Sequence, residues 1–132
     1  MMKFIDYLRG MVSRGAEHLI ASFRYSLDGF GACFRDETAF RQEVAVGAVH
    51  FVLSFALQLS LTVFVYLTVL YVLLLAVELI NTAVEAAVDC AVNDRHPLAK
   101  KAKDCASAAV FCVIAIFAVS WIVVLAKMFG RA

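Results

Sequence analysis

The arrangement of apolar and polar positions divides the chain into four helical segments. Over about 3–34, apolar side chains recur every three or four residues with charged residues between them, which is typical of an amphipathic helix. Its basic residues predict that this helix lies along a membrane surface. From Val44 to Val77, 34 consecutive positions carry no charge, and a further apolar segment follows at about 105–126.

The uncharged run is too long for a single crossing of a bilayer. As one helix it would extend about 50 Å, against a hydrocarbon core of about 30 Å. Its most polar stretch is Gln58–Thr62, where we predict a short extracytoplasmic turn. The predicted spans are therefore about 43–58, 63–90 and 105–126, with a helix breaker at Asn93–Pro97 before the third.

The composition supports a single integral-membrane domain over residues 1–132. Hydrophobic residues make up 64% of the chain, and the mean hydropathy is +0.87. One Pro and six Gly favour long helices over a β-barrel. The net charge of +1 comes without a basic tract, so we expect no nucleic-acid partner. The predicted fold class is all-α: a polytopic membrane protein with an N-terminal amphipathic surface helix and three transmembrane helices.

The Lys and Arg residues fall into two zones that flank the first two predicted spans. Six of them precede residue 44 and four lie between 91 and 104, whereas 44–90 contains none. The positive-inside rule places both zones in the cytoplasm, so that 44–90 must leave that side of the membrane and return to it.

A polar stripe ends the second predicted span. Glu78, Asn81, Glu85 and Asp89 follow one another at spacings of 3, 4 and 4. At that spacing they fall within roughly 80° of one helix face. A carboxylate in hydrocarbon costs about 2.5–3.5 kcal/mol on insertion scales, so three on one stripe should not face lipid. We expect them to line an interior or an interface and to meet a cation or a proton. The alternative is a polar seam that only joins helices.

Two further charged clusters lie at the same predicted membrane face, at 35–43 and at 100–107. Carboxylate pairs suit Mg²⁺, Lys and Arg suit phosphate, and a deeper Glu can take a proton from a hydroxyl. The combination fits phosphoryl transfer from a water-soluble nucleotide to a membrane lipid. The alternative from another class is a small oligomeric proton- or cation-coupled transporter in which Glu78 and Glu85 carry the ion. His50, within the first span, is interpreted as a hydrogen-bonding residue between helices.

Three sequence elements resemble the small bacterial integral-membrane lipid kinases, which include diacylglycerol kinase and undecaprenol kinase. Glu78–Asp89 meets in full the pattern E-[LI]-x-N-[ST]-A-[VI]-E-x-x-V-D of that family. Asp36–Glu43 resembles its N-E-A-A-F-R-Q-E element, and 102–110 resembles the element before its last span. The resemblance extends over about 23–121. It implies a homotrimer with shared active sites, in the bacterial cytoplasmic (inner) membrane, with the active site at the cytoplasmic face.

The resemblance also implies roles for individual residues. Glu78 would be the general base that faces the lipid hydroxyl, and Glu37 and Glu85 would hold Mg²⁺ and contact ATP. The other implied nucleotide contacts are His18, Tyr25, Asp94, Arg95, His96, Lys103 and Asp104. The other implied lipid contacts are Arg41, Gln42, Glu43, Asn81 and Ser107.

The sequence elements divide between the two lipids of the family. His18 stands where the diacylglycerol kinases carry Arg, and Tyr25–Gly29 is closer to the Y-A-I-E-G of the undecaprenol kinases. The elements at 41–43 and 107–109 are closer to the diacylglycerol kinases. The resemblance thus favours ATP- and Mg²⁺-dependent phosphorylation of diacylglycerol to phosphatidic acid, and undecaprenol phosphorylation stays open as the alternative.

Overall fold

The computed structural model describes residues 2–92 and 96–130, without the side chains of 2–14 and 16. Its elements are the helices α1 (Met2–Asp36), α2 (Thr38–Ala56), α3 (Leu61–Ala91) and α4 (Pro97–Phe129). The all-α prediction is therefore confirmed over the described residues. The chain forms two compact units, one containing α1 and the other containing α2, α3 and α4.

The first unit is a single continuous helix of 35 residues. Arg35 lies in its last turn, where a cation interacts favourably with the partial negative charge of a helix C-terminus. The helix ends at Asp36, because Glu37 has an extended backbone with φ −103° and ψ 120°. That this helix lies on a membrane surface stays a prediction.

The chain reverses between α2 and α3 in a tight turn at the segment where the sequence predicts one. Gln58 adopts φ 50°, in the left-handed region that closes many helix C-termini. Its N–H donates to the Phe55 carbonyl, and the Leu59 N–H donates to the Ser54 carbonyl, both at 3.1 Å. This bonding pattern satisfies the last carbonyls of α2 without a glycine, at a conformational cost of about 1–2 kcal/mol.

Two of the described helices are long and apolar enough to cross a membrane, α3 with 31 residues and α4 with 33. α2 is not among them. It begins with Arg41, Gln42 and Glu43 close to its first turn, which leaves an apolar part of about 20 Å between Val44 and Ala56. A hydrocarbon core measures about 30 Å, so a third span in α2 stays a prediction.

α4 begins earlier than the third predicted span. Pro97 occupies its first turn, where the missing N–H of proline removes no helical hydrogen bond. The Nδ1 atom of His96 accepts a hydrogen bond from the Leu98 N–H at 3.2 Å and so caps the helix. The charged residues at 98–104 are therefore helical and continuous with the apolar segment that follows.

α3 packs against both α2 and α4 in the second unit. Leu67, Tyr71 and Phe117 form one cluster between α3 and α4, and Leu74, Val110 and Val113 form a second. Among the described residues, no Cα atom of α2 lies within 8 Å of a Cα atom of α4. α3 is therefore the floor of a cleft whose walls are α2 and α4.

Candidate functional site

A cavity of about 680 Å³ occupies this cleft. Its polar lining residues are Glu37, Gln42, Glu43, Glu78, Asn81, Glu85 and Ser107. Its apolar lining residues are Ala39, Val46, Leu74, Val110, Ile114, Phe117, Ala118 and Trp121. On α3 and α4 the polar residues lie nearest to the connection between these two helices. The cavity is thus carboxylate-rich at one end and apolar at the other.

Three members of the polar stripe on α3 line this cavity, as their helical spacing predicts. Glu78 is only 4% exposed. The amide nitrogen of Asn81 donates to the Oε1 atom of Glu85 at 3.4 Å. The amide oxygen of Asn81 is buried and has no hydrogen-bond partner among the described residues. The stripe therefore presents carboxylate and amide oxygens to a protein interior.

Glu43 brings a second buried carboxyl group to the same cavity, from α2. It is 7% exposed, and its Oε2 atom lacks a hydrogen-bond partner within the described part of the chain. A buried oxygen without a partner is costly, about 1–3 kcal/mol for an ordinary polar group, and is typical of a group that meets a ligand or a proton. Glu78 on the floor of the cleft and Glu43 on the α2 wall are thus both buried carboxyl groups.

The oxygen atoms around Glu37 and Glu85 fit Mg²⁺. Glu37 precedes α2 and lines the cavity, and its side chain makes no hydrogen bond to cap that helix. Over the described residues no three His, Cys, Asp or Glu are grouped to hold a metal ion by themselves. Mg²⁺ in nucleotide enzymes is commonly held by one or two carboxylates together with phosphate oxygens. The donor set therefore fits a metal ion that arrives with a nucleotide.

Several of the predicted nucleotide contacts lie outside the cavity lining. The Lys103 ammonium donates to Asp89 Oδ1 at 2.5 Å, which joins α4 to α3. Asp104 pairs with Lys100 on its own helix, and both side chains are exposed. His96 caps α4. These contacts place Asp89 in an ion pair rather than in the cavity with the rest of its stripe.

The other predicted site residues are placed as follows. Arg41 is exposed on α2 and donates from Nη2 to the Thr38 hydroxyl at 2.9 Å. His18 and Tyr25 are exposed on α1. Asp94 and Arg95 lie outside the described residues. The cavity therefore gathers Gln42, Glu43, Asn81 and Ser107 from the predicted lipid contacts, together with the predicted base and metal ligands.

The sequence-based prediction omits the apolar lining on α4. Val110, Ile114, Phe117 and Trp121 follow one another at spacings of 4, 3 and 4, which places them on one helix face. The same spacing argument that identifies the stripe on α3 could have selected this face. It could not have selected it over the other apolar faces of α4, since nearly every residue there is apolar.

Known proteins align with most of this chain. Residues 24–125 match the family model described as "Prokaryotic diacylglycerol kinase". The chain is 40% identical to the diacylglycerol kinase of Pseudomonas aeruginosa over 111 residues, which cover 84% of this chain and 90% of that protein. It is 38% identical to the diacylglycerol kinase of Haemophilus influenzae over 107 residues, with coverages of 81% and 91%. It is 34% identical to the diacylglycerol kinase of Escherichia coli K12 over 116 residues, with coverages of 88% and 95%.

Proposed function

Because the chain belongs to the prokaryotic diacylglycerol kinase family and is a lipid kinase, we propose that it phosphorylates diacylglycerol. The γ-phosphoryl group of ATP passes to the lipid hydroxyl in a Mg²⁺-dependent reaction, and the product is phosphatidic acid. The alternative that the protein is a transporter is wrong, because its relatives are kinases.

The observation that supports this proposal best is the position of Glu78. It is buried where the carboxylate-rich end of the cleft meets the apolar end. A diacylglycerol with its tails along Ile114 and Phe117 places its hydroxyl near Glu78. The Glu78 carboxylate accepts the hydroxyl proton as the lipid oxygen attacks the γ-phosphorus, which is the role of a general base.

The carboxylate-rich end of the cleft is the proposed phosphate side. Glu37 and Glu85 hold Mg²⁺, which supplies neutralisation of the phosphate charge when it is bound. Asn81 orients the Glu85 carboxylate through its amide hydrogen bond. Gln42, Glu43 and Ser107 are the proposed lipid contacts within the cleft, and Arg41 is a further one at its rim.

The other proposed nucleotide contacts are His18, Tyr25, Asp94, Arg95, His96, Lys103 and Asp104. Within the second unit, His96, Lys103 and Asp104 do not line the cleft. We propose a homotrimer in which these residues of one protomer serve the cleft of another. Support comes from the large apolar side chains that α2, α3 and α4 expose, such as Phe55, Leu61 and Phe111, which require lipid or a partner subunit as neighbours.

The proposed setting is the bacterial cytoplasmic membrane, with three spans and the cleft opening at the cytoplasmic face. α3 and α4 support two of these spans by length and composition. α2 packs against α3, and we propose α2 as the third span. The positive charges before residue 44 and at 91–104 support a cytoplasmic position for the carboxylate-rich end.

The experiment that tests the proposal offers the purified protein two lipids side by side. Diacylglycerol and undecaprenol are presented in the same mixed micelles with labelled ATP, with and without Mg²⁺. We expect labelled phosphatidic acid as the main product, and only with Mg²⁺. Label in undecaprenyl phosphate alone would assign the enzyme to the alternative lipid, which the Tyr25–Gly29 element favours. Label in neither lipid would contradict the proposed reaction.

A further inference from the structure

The face of α2 that packs on α3 contains polar and small residues in place of a continuous apolar surface. Glu43, Gly47, His50 and Ser54 are all buried, at spacings of 4, 3 and 4 along α2. This spacing places them on one helix face. Two of the four, Gly47 and His50, make defined contacts with α3, and those contacts determine how the two helices align.

His50 makes a directional contact with α3. The Thr68 hydroxyl donates to the Phe64 carbonyl at 2.8 Å, so its oxygen accepts from the Nε2–H group of His50, 3.2 Å away. The Ser54 hydroxyl lies 3.5 Å from Nδ1, on the other side of the ring. His50 is 2% exposed. A hydroxyl group therefore lies beside each ring nitrogen of His50.

Aromatic rings enclose His50 and restrict its movement. The rings of Phe51, Phe64 and Tyr71 lie with centroids 5.0, 6.2 and 6.0 Å from that of His50. From α4, Phe117 and Trp121 meet it edge-on at 5.7 and 5.6 Å. Because Phe117 and Trp121 also line the cleft, the His50 ring lies directly behind its apolar end.

Gly47 makes the second defined contact, with Tyr71. A Cβ atom at position 47 would lie 2.0 Å from the phenol oxygen of Tyr71 and 2.1 Å from Cζ. No side chain fits in that space, so the tyrosine ring packs directly on the α2 backbone. The close approach requires glycine here because of contact, not because of backbone conformation.

These two contacts fix the register of the antiparallel pair. Gly47 precedes His50 by three residues on α2, and its partner Tyr71 follows Thr68 by three residues on α3. Four more residues in the same directions lead to Glu43 and to the level of position 75. That level is about 4.5 Å of helical rise from Glu78. A slip of one residue would turn Glu43 by about 100° relative to the cleft.

We propose that His50 is a positioning residue for phosphoryl transfer: with Gly47 it fixes the register of α2 on α3, and it thereby holds the Glu43 carboxyl in the cleft that contains Glu78. The inference rests on the proposed function for the catalytic consequence, although the register itself does not depend on it. Close contacts at small residues and interhelical hydrogen bonds are the interactions by which helices pack in lipid, and the α2–α3 pair has one of each.

The first test separates positioning from folding by paired variants. His50→Ala removes the donor, whereas His50→Gln keeps an N–H group near the position of Nε2. Thr68→Val removes the acceptor at nearly constant shape, whereas Thr68→Ser keeps it. We expect His50→Ala and Thr68→Val to lower kcat by about 10- to 100-fold, as misplacement by about 1 Å does elsewhere. The KM for ATP should stay constant, and His50→Gln and Thr68→Ser should restore most of kcat.

The second test measures the register without catalysis. Spin labels at the exposed positions Val52 on α2 and Val65 on α3 report the alignment through their distance distribution. Labels at Val69 on α3 and Val119 on α4 form the control pair. We expect the first distribution to shift or broaden in His50→Ala, and the control distribution to stay the same.

The outcomes of the two tests are distinguishable. Wild-type kcat in both His50→Ala and Thr68→Val would overturn the inference, and so would an unchanged Val52–Val65 distance distribution in a slow His50→Ala variant. Failure of the wild-type protein to phosphorylate any lipid would contradict the proposed function and the catalytic role of His50. The distance measurement would still decide the register.

Discussion

Glu78 is 4% exposed in a helix whose remaining residues are mainly apolar. Few water molecules can solvate such a carboxylate, so the proposed lipid hydroxyl would meet the proposed base without a full hydration shell to displace. The neighbouring oxygens of Asn81 and Glu85 are on the same helix face, one and two turns away. At the scale of single residues, about two helical turns thus separate the proposed base from Glu85, one of the two proposed metal ligands.

Replacing Glu78 by Gln tests the proposed base. The amide keeps the shape of the side chain but cannot accept the hydroxyl proton, so we expect kcat to fall by about 10²–10⁴-fold. Nucleotide binding should persist, as measured by the thermal shift that ATP with Mg²⁺ produces. Glu17→Gln makes the same change at an exposed position of α1 and serves as the control. Near wild-type turnover in Glu78→Gln would move the base elsewhere.

Replacing Glu37 or Glu85 by Gln tests the proposed metal ligands. Each change removes an anionic oxygen, so each should raise the Mg²⁺ concentration that gives half-maximal activity. The measurement is a Mg²⁺ titration of initial rate at saturating ATP, with Glu17→Gln again as the matched control. If both variants kept the wild-type half-saturation, the metal assignment would be wrong.

Sequence alone identifies those site residues that one helix places together. Glu78, Asn81 and Glu85 could be grouped because twist and rise within a helix are constant. Asp89 continues the same spacing but pairs with Lys103 instead, and spacing within α3 holds no information about a residue on α4. The contact of Gly47 with Tyr71 could not be predicted from spacing either, because packing sets the alignment of two helices.

At the scale of elements, α2 differs from α3 and α4 in its length and in its buried residues. Its apolar part is short, and its buried face contains Glu43, Gly47 and His50. The predicted turn at Gln58–Thr62 overlaps the observed turn between α2 and α3, because polar residues interrupt the apolar run there. The predicted start of the third span is later than the start of α4, because hydropathy locates the apolar segment and not the charged turns of helix that precede it.

Replacing Gly47 by Ala tests the packing of α2 on α3. The new methyl group would collide with the Tyr71 ring, so we expect a loss of stability of about 1–3 kcal/mol, as overpacked sites usually show. Thermal unfolding in a mild detergent measures the effect. Gly29→Ala is the matched control, because a Cβ there meets nothing within 4 Å, and it should stabilise its helix by up to about 1 kcal/mol. Equal stability of Gly47→Ala and wild type would contradict the packing argument.

At the scale of the whole molecule, charge and hydropathy determine how the chain is placed in a membrane. Ten Lys and Arg residues lie before residue 44 or between 91 and 104, and none lies between 44 and 90. The positive-inside rule predicts that both basic zones lie at the cytoplasmic face. We then expect the turn around Gln58 on the opposite side.

Accessibility of introduced cysteines tests this topology. In a variant with Cys33, Cys90, Cys105 and Cys112 replaced, the substitutions Glu37→Cys, Asp94→Cys and Lys101→Cys should react with a polar thiol reagent from the cytoplasmic side only. Ser60→Cys should react only from outside, because the basic zones stay in the cytoplasm. ATP with Mg²⁺ should protect Lys101→Cys, which keeps both proposed metal ligands, and leave Ser60→Cys reactive. Labelling of Glu37→Cys from both faces would refute the topology.

The apolar end of the cleft has a kinetic consequence. The Cα atoms of α2 and α4 stay more than 8 Å apart over the described residues, and His50 of α2 meets Phe117 and Trp121 of α4 through their rings. Because the proposed substrate is a membrane lipid, we expect it to reach the cleft by diffusion within the bilayer. The enzyme should then respond to the mole fraction of diglyceride in the membrane plane, a two-dimensional quantity that the volume of buffer does not alter. Adding inert phospholipid at constant total diglyceride should slow turnover, so that the rate would report the composition of the surrounding membrane.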